Sequence, residues 1–93
     1  MSVIESIKFG LLSPDDIRLM LLLLALGFSQ RQVARALGVT QGAVWQRIKK
    51  FREELMKPGG WALIVGLLAP LVDEPEAWTC RLKEAVERLE AGR

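Results

Sequence analysis

From Gln30 to Lys49 the chain places small, apolar and capping residues at intervals that suit two short helices joined by a tight turn. Ala34, Gly38 and Val44 stand four and then six residues apart, with Val33, Leu37 and Val39 in the apolar places between them. Ala34 is small where the two helices would cross. Gly38 falls where the chain leaves the first helix, and a left-handed backbone costs glycine least. Val44 would anchor the second helix on the first. Ser29 with Gln32 three residues on forms a capping box for the first helix, and the Thr40 hydroxyl can cap the second. After Val44 the apolar residues recur at Ile48, Phe51 and Leu55, so one face of the second helix is expected to be buried.

This is the pattern of a helix-turn-helix within the stretch Gly27 to Leu55. The opposite face of its second helix carries Gln41, Gly42, Trp45, Gln46, Lys49 and Lys50. Amides beside cations on an exposed helix suit base edges and the phosphates around them. The run from Gly38 to Ile48, Gly-Val-Thr-Gln-Gly-Ala-Val-Trp-Gln-Arg-Ile, resembles the turn and recognition helix of bacterial and phage helix-turn-helix repressors. It is most similar in flavour to plasmid repressors of the KorA type, which share a Thr-x-Gly-Ala-Val-x-Gln run. Trp45 stands where a small residue is common in such motifs. Trp repressor-like domains and the last DNA-binding region of sigma factors share the same general pattern. The resemblance covers about a third of the chain and implies a tri-helical unit that binds double-stranded DNA.

The distribution of charge agrees with this. The chain of 93 residues carries a formal net charge of +2. Between Ser29 and Pro58, however, seven cations (Arg31, Arg35, Arg47, Lys49, Lys50, Arg52, Lys57) face two anions (Glu53, Glu54), which leaves +5. The remaining six cations and nine anions leave −3 elsewhere. Positive charge gathered on the motif is what a surface facing a polyanion requires. With 51% hydrophobic and 26% charged residues, the composition is that of one folded domain. A lone cysteine, Cys80, excludes an internal disulfide, and its simplest reading is a partly buried thiol on an amphipathic helix. The chain contains no histidine, which removes the usual imidazole chemistry of zinc fingers and hydrolases. No charged start precedes an apolar stretch with a cleavage site, so no signal peptide is expected and the location expected is cytoplasmic.

Read in order, Ser2 with Glu5 can cap a short helix through Val3, Ile4 and Ile7 that closes at Gly10, although the alternation Val3, Glu5, Ile7, Phe9 also suits a strand. Ser13-Pro14-Asp15-Asp16 is a clearer helix start, with proline at the first helical position and two carboxylates near the positive end of the dipole. That helix should run from Pro14 to about Leu26. Its uncharged run from Leu19 to Gln30 is far short of the roughly 20 residues a membrane span needs. It reads instead as a core helix, one face on the motif and the other covered from elsewhere in the chain or by a second subunit. Pro58-Gly59-Gly60 ends the recognition helix. The twelve uncharged residues from Trp61 to Val72 suit either a buried helix or a strand. Gly66 and Pro70 weaken both, and a helix from Trp61 to Ala69 is preferred. Asp73-Glu74-Pro75-Glu76 opens a last helix whose apolar stripe is Trp78, Leu82, Ala85, Val86 and Leu89, ending at Gly92.

The expected architecture is therefore all-α, a compact domain of five to six helices over residues 1–93. Its helix-turn-helix core spans 14–57 and a helical extension spans 61–92. Expected base-reading residues are Gln41, Gly42, Trp45 and Gln46; glutamine can pair bidentately with adenine. Trp45 has two readings, packing on DNA or lying in a crevice beside the preceding helix. Expected phosphate contacts are Arg31, Thr40, Arg47, Lys49, Lys50 and Arg52, each a salt-dependent share of affinity. A short recognition helix reads few base pairs, so such proteins pair two on half-sites roughly 34 Å apart. The surplus apolar surface of the extension fits a homodimer, with Trp61, Leu63, Ile64, Leu67, Leu68, Leu71, Trp78 and Leu82 as expected interface residues. The same run could instead complete a monomer core.

The function expected is a sequence-specific regulator, a repressor on a palindromic operator. The alternative is a phage or plasmid protein that uses the same unit to bind RNA polymerase or a nucleoprotein assembly. No cofactor is expected, since nothing polar lies within the apolar run to orient a ligand. No phosphate loop or paired carboxylates point to an enzyme.

Overall fold

The computed structural model of the chain describes residues 13–92. Over these it contains five helices, α1 (Pro14–Ala25), α2 (Gln30–Leu37), α3 (Gln41–Leu55), α4 (Gly60–Asp73) and α5 (Pro75–Ala91). No strand occurs among the described residues. The short helix or strand expected over Val3 to Phe9 lies outside them.

Local chemistry accounts for the ends of the first three helices. The Ser13 hydroxyl accepts a hydrogen bond from the Asp16 N–H and the Asp16 carboxylate accepts from the Ser13 N–H, each at 3.1 Å. Ser29 and Gln32 form the equivalent box on α2, at 3.1 and 2.9 Å. The Thr40 hydroxyl accepts from the Ala43 N–H at 3.1 Å and starts α3. At the end of α2, Gly38 adopts φ 72°, ψ 30°, and this lets the Val39 N–H reach back to the Ala34 carbonyl at 3.0 Å. A side chain at that position would strain the backbone. The chain therefore turns there into α3.

The core is built from Leu19, Met20 and Leu23 of α1, Val33, Ala34 and Ala36 of α2, Val44 of α3, and Trp78, Ala85 and Leu89 of α5. Met20, Leu23, Val33 and Val44 are the largest side chains fully withdrawn from solvent. The second face of α1 is thus covered by α5 of the same chain. Arg88 of α5 donates to the Ala36 carbonyl at 3.1 Å, so it satisfies an acceptor in the last turn of α2 as it ties the two helices together. Arg81 pairs with Asp15 at 3.0 Å and lies over the Trp78 ring, 4.6 Å from its centroid, across the seam of α1 and α5.

Two features of α4 differ from expectation. The helix does not stop at Ala69 but continues through Pro70 to Asp73. Proline has no N–H, so the Gly66 carbonyl loses its donor four residues on, which normally breaks a helix. Here Arg18 of α1 supplies it: Nη2 donates to the Gly66 carbonyl at 3.0 Å and Nε to the Leu67 carbonyl at 2.8 Å. Asp15 holds the same guanidinium at 2.8 Å. The residue that tolerates Pro70 is thus 52 positions earlier. The second difference is the face it buries, since Trp61 and Leu68 are exposed while Leu63, Ile64 and Leu67 are half-buried. At its start α4 is pressed against the end of α3, where a Cβ on Gly60 would collide with the Leu55 carbonyl. No helix among the described residues is long and apolar enough to cross a membrane.

Candidate nucleic-acid interface

Buried Val44 presses α3 onto α2, where Val33, small Ala34 and Ala36 are withdrawn from solvent with it. That contact sets which residues of α3 point outward. Gly42, Trp45, Gln46 and Lys49 follow at the i, i+3, i+4, i+7 spacing of one helical stripe, and all four are exposed. Gln41, the first residue of the helix, is exposed beside them. Trp45 is 48% exposed, so of its two readings the crevice is not the one observed. The Lys49 ammonium sits over its indole, 5.3 Å from the ring centroid. A cation held on an aromatic face keeps its charge while it loses freedom, which suits a phosphate contact made with little further ordering. Among the described residues, Gly42 is not demanded by space: a Cβ there would meet only the Thr40 hydroxyl, at 3.9 Å.

The expected phosphate contacts divide into two flanks. Arg47, Lys50 and Glu54 share a stripe to one side of the Gln46 row, at i, i+3, i+7. Lys50 lies 3.9 Å from Glu54, which also takes Lys57 at 3.1 Å, so part of this flank's charge is offset within the protein. Arg52 is exposed on the other side, and Glu53 continues the row of Gly42, Trp45, Gln46 and Lys49 toward the end of α3. A carboxylate there makes the first half of the helix the better approach for a polyanion. Thr40 is exposed; its oxygen accepts from Ala43, which leaves the hydroxyl proton to donate to a phosphate.

Arg31 of α2 is exposed at the edge of the same surface. With Arg35, Gln32, Ala34, Val39 and Gln41 it lines an open groove of about 450 Å³ between α2 and the start of α3. Arg35 belongs to this surface although it was not among the expected contacts. The signal for it was its place one turn after Arg31, on the same face of α2.

The extension presents a different surface. Of the residues expected at a dimer interface, Trp61 and Leu68 are exposed, whereas Leu63, Ile64, Leu67, Leu71 and Leu82 are half-buried in their own chain. Leu71 and Leu82 pack against the core. Trp78, at 5% exposure, is part of the core itself and offers no surface to a partner. The exposed row instead includes Val65 and Val72. Cys80, expected to be partly buried, is an exposed free thiol. No group of three or more His, Cys, Asp or Glu among the described residues could hold a metal ion.

Residues 13–55, the span of α1 to α3, match the family model of the homeodomain-like domain. This segment is thus similar to homeodomain-like helix-turn-helix domains, which suggests DNA binding, and the match ends where α4 is about to begin. No curated protein and no solved structure matches the chain.

Proposed function

We propose that the chain is a sequence-specific double-stranded DNA-binding regulator, a cytoplasmic repressor that occupies a palindromic operator as a homodimer and blocks transcription from it. The observation that carries this reading is the outer row of α3, where Gly42, Trp45, Gln46 and Lys49 stand exposed on a helix locked by Val44 into a homeodomain-like unit. In this reading α3 enters the major groove. Gln41 and Gln46 read base edges, and Trp45 packs on a thymine methyl or a sugar beside Gly42, which has no side chain to obstruct it. Lys49 and Arg52 hold phosphates on one side, Arg47 and Lys50 on the other, Thr40 does so at the start of α3, and Arg31 with Arg35 reaches the backbone from α2.

Selection of bound sequences from a random duplex pool, followed by light scattering of the complex on the winning site, tests the reading. A palindromic consensus bound by two chains supports it. No enrichment over background, with no salt-dependent affinity for any duplex, overturns it and favours an interaction protein that docks on RNA polymerase or another nucleoprotein assembly.

A further inference from the structure

Helix α4 turns a row of apolar residues outward, where none of the described elements covers it. Trp61 is 78% exposed, Val65 64%, Leu68 50% and Val72 76%. Their spacings of four, three and four are those of a seam between two packed helices. Ala62, Gly66 and Ala69 are exposed beside them, and no charge occurs from Trp61 to Val72. Scattered exposed apolar residues are ordinary, but a continuous uncharged row along the whole of a helix marks an interaction surface.

Gly66 adds a second observation. It lies within a helix, where glycine is unfavourable, yet a Cβ there would have nothing within 4 Å. Nothing in the described chain requires it. A glycine in the middle of an exposed apolar row is explained if another backbone approaches closely at that point.

Two features indicate what approaches. The seam is symmetric about the point between Gly66 and Leu67, since residues 61 and 72, and 65 and 68, are equidistant from it. A two-fold axis there would set Trp61 of one copy against Val72 of the other and Val65 against Leu68, and the reverse, as an isologous contact requires. The close of α4 is also acidic, at Asp73 and Glu74, while its start carries no anion. An antiparallel pair brings the positive dipole end of one helix to the acidic end of the other and opposes the two helix dipoles.

We propose that the outward face of α4 is the seat of a second copy of this chain, the two α4 helices packing antiparallel across Trp61, Val65, Leu68 and Val72 with Gly66 at the crossing. The proposal rests on the homodimeric reading above and gives it a surface. It leaves the outer row of α3 free on both copies.

Sedimentation equilibrium of the full chain, without DNA, tests it with two variants. Val65→Glu buries a charge in the seam. Gly66→Leu adds bulk at the crossing, where the single chain has room for it, and it improves helix propensity. Both are expected to keep the helical circular dichroism and to raise the dimer dissociation constant by at least roughly 100-fold, the scale of an unpaired buried charge or a blocked packing contact. On a Cys80→Ser background, an equimolar mixture of Trp61→Cys and Val72→Cys is expected to cross-link as a heterodimer. Trp61→Cys alone should not cross-link, because the two copies of that residue would lie about 16 Å apart along the axis. A monomeric wild-type chain, or variants that remain dimeric, would overturn the interface and assign α4 to another occupant. Cross-linking of Trp61→Cys with itself would overturn the antiparallel arrangement. Failure of the DNA reading is separate: a dimer that behaves as described but has no salt-dependent affinity for duplex DNA leaves the interface standing and removes the regulator.

Discussion

Arg18 shows how much one side chain can decide. It donates to two carbonyls of α4, one of which Pro70 has deprived of its normal donor, and it is itself held by Asp15. Arg18→Met should cost about 1–3 kcal/mol, because it leaves part-buried acceptors unsatisfied. In the Pro70→Ala background, where residue 70 regains an N–H for Gly66, the same change should cost measurably less. Denaturant unfolding of the four proteins in a double-mutant cycle would measure the difference; equal costs in both backgrounds would separate Arg18 from the proline. On α3 the residues differ in kind. Gln46→Ala is expected to reduce discrimination between operator and mismatched sites by about 1–3 kcal/mol. Lys49→Ala should weaken all sequences alike and lower the salt slope by about one. Titrations at several salt concentrations against matched and mismatched duplexes would distinguish the two roles, and an equal loss on every sequence for Gln46→Ala would remove it from base readout.

At the scale of the element, the turn between α2 and α3 fixes how the outer row of α3 is presented. Gly38 in the left-handed region closes α2 and the Thr40 cap opens α3 two residues later. Gly38→Ala should destabilise the fold by about 1 kcal/mol or somewhat more, from the backbone it would force into that region. Ser29→Ala should cost a similar amount, about 1 kcal/mol, through the lost cap of α2. Thermal melts followed by circular dichroism would report both. These losses concern the helix ends, so binding to DNA by the fraction still folded should be little altered for Ser29→Ala. For Gly38→Ala binding should weaken, because the angle between α2 and α3 shifts with the turn.

For the whole molecule, the core does not stop at residue 55, where the match to the homeodomain-like model ends. Trp78, Ala85 and Leu89 of α5 are buried together with Leu19, Met20 and Leu23 of α1. A chain ending at residue 58 would expose that face of α1, and it is expected to lose cooperative unfolding although it keeps all three helices of the matched unit. A calorimetric scan would decide this; a sharp transition in the truncated chain would show that α5 is dispensable. Leu23→Ala in the full chain should cost about 2–5 kcal/mol, from lost burial and the cavity left behind.

The parts of this protein that the sequence alone determined are those governed by neighbours within about one helical turn. Capping hydroxyls at Ser13, Ser29 and Thr40, proline at the first turn of α1, glycine at the left-handed turn and the period of Val33, Ala34 and Val44 all act locally, so the helix-turn-helix and its polar outer row were legible before any coordinates. Choices made by packing between distant elements have no local signature. A helix apolar on every side, such as α4, carries no mark of which side faces in, and so Trp61 and Leu68 proved exposed while Leu63, Ile64 and Leu67 turned partly inward. Trp78, expected at a dimer interface, proved to be core because α5 closes over α1. The survival of the helix past Pro70 depended on a guanidinium brought by the fold from α1, and no window around the proline contains it. Backbone geometry and capping are settled over a few residues, whereas the choice of buried face and the rescue of an orphaned carbonyl are settled by whichever element arrives from far along the chain.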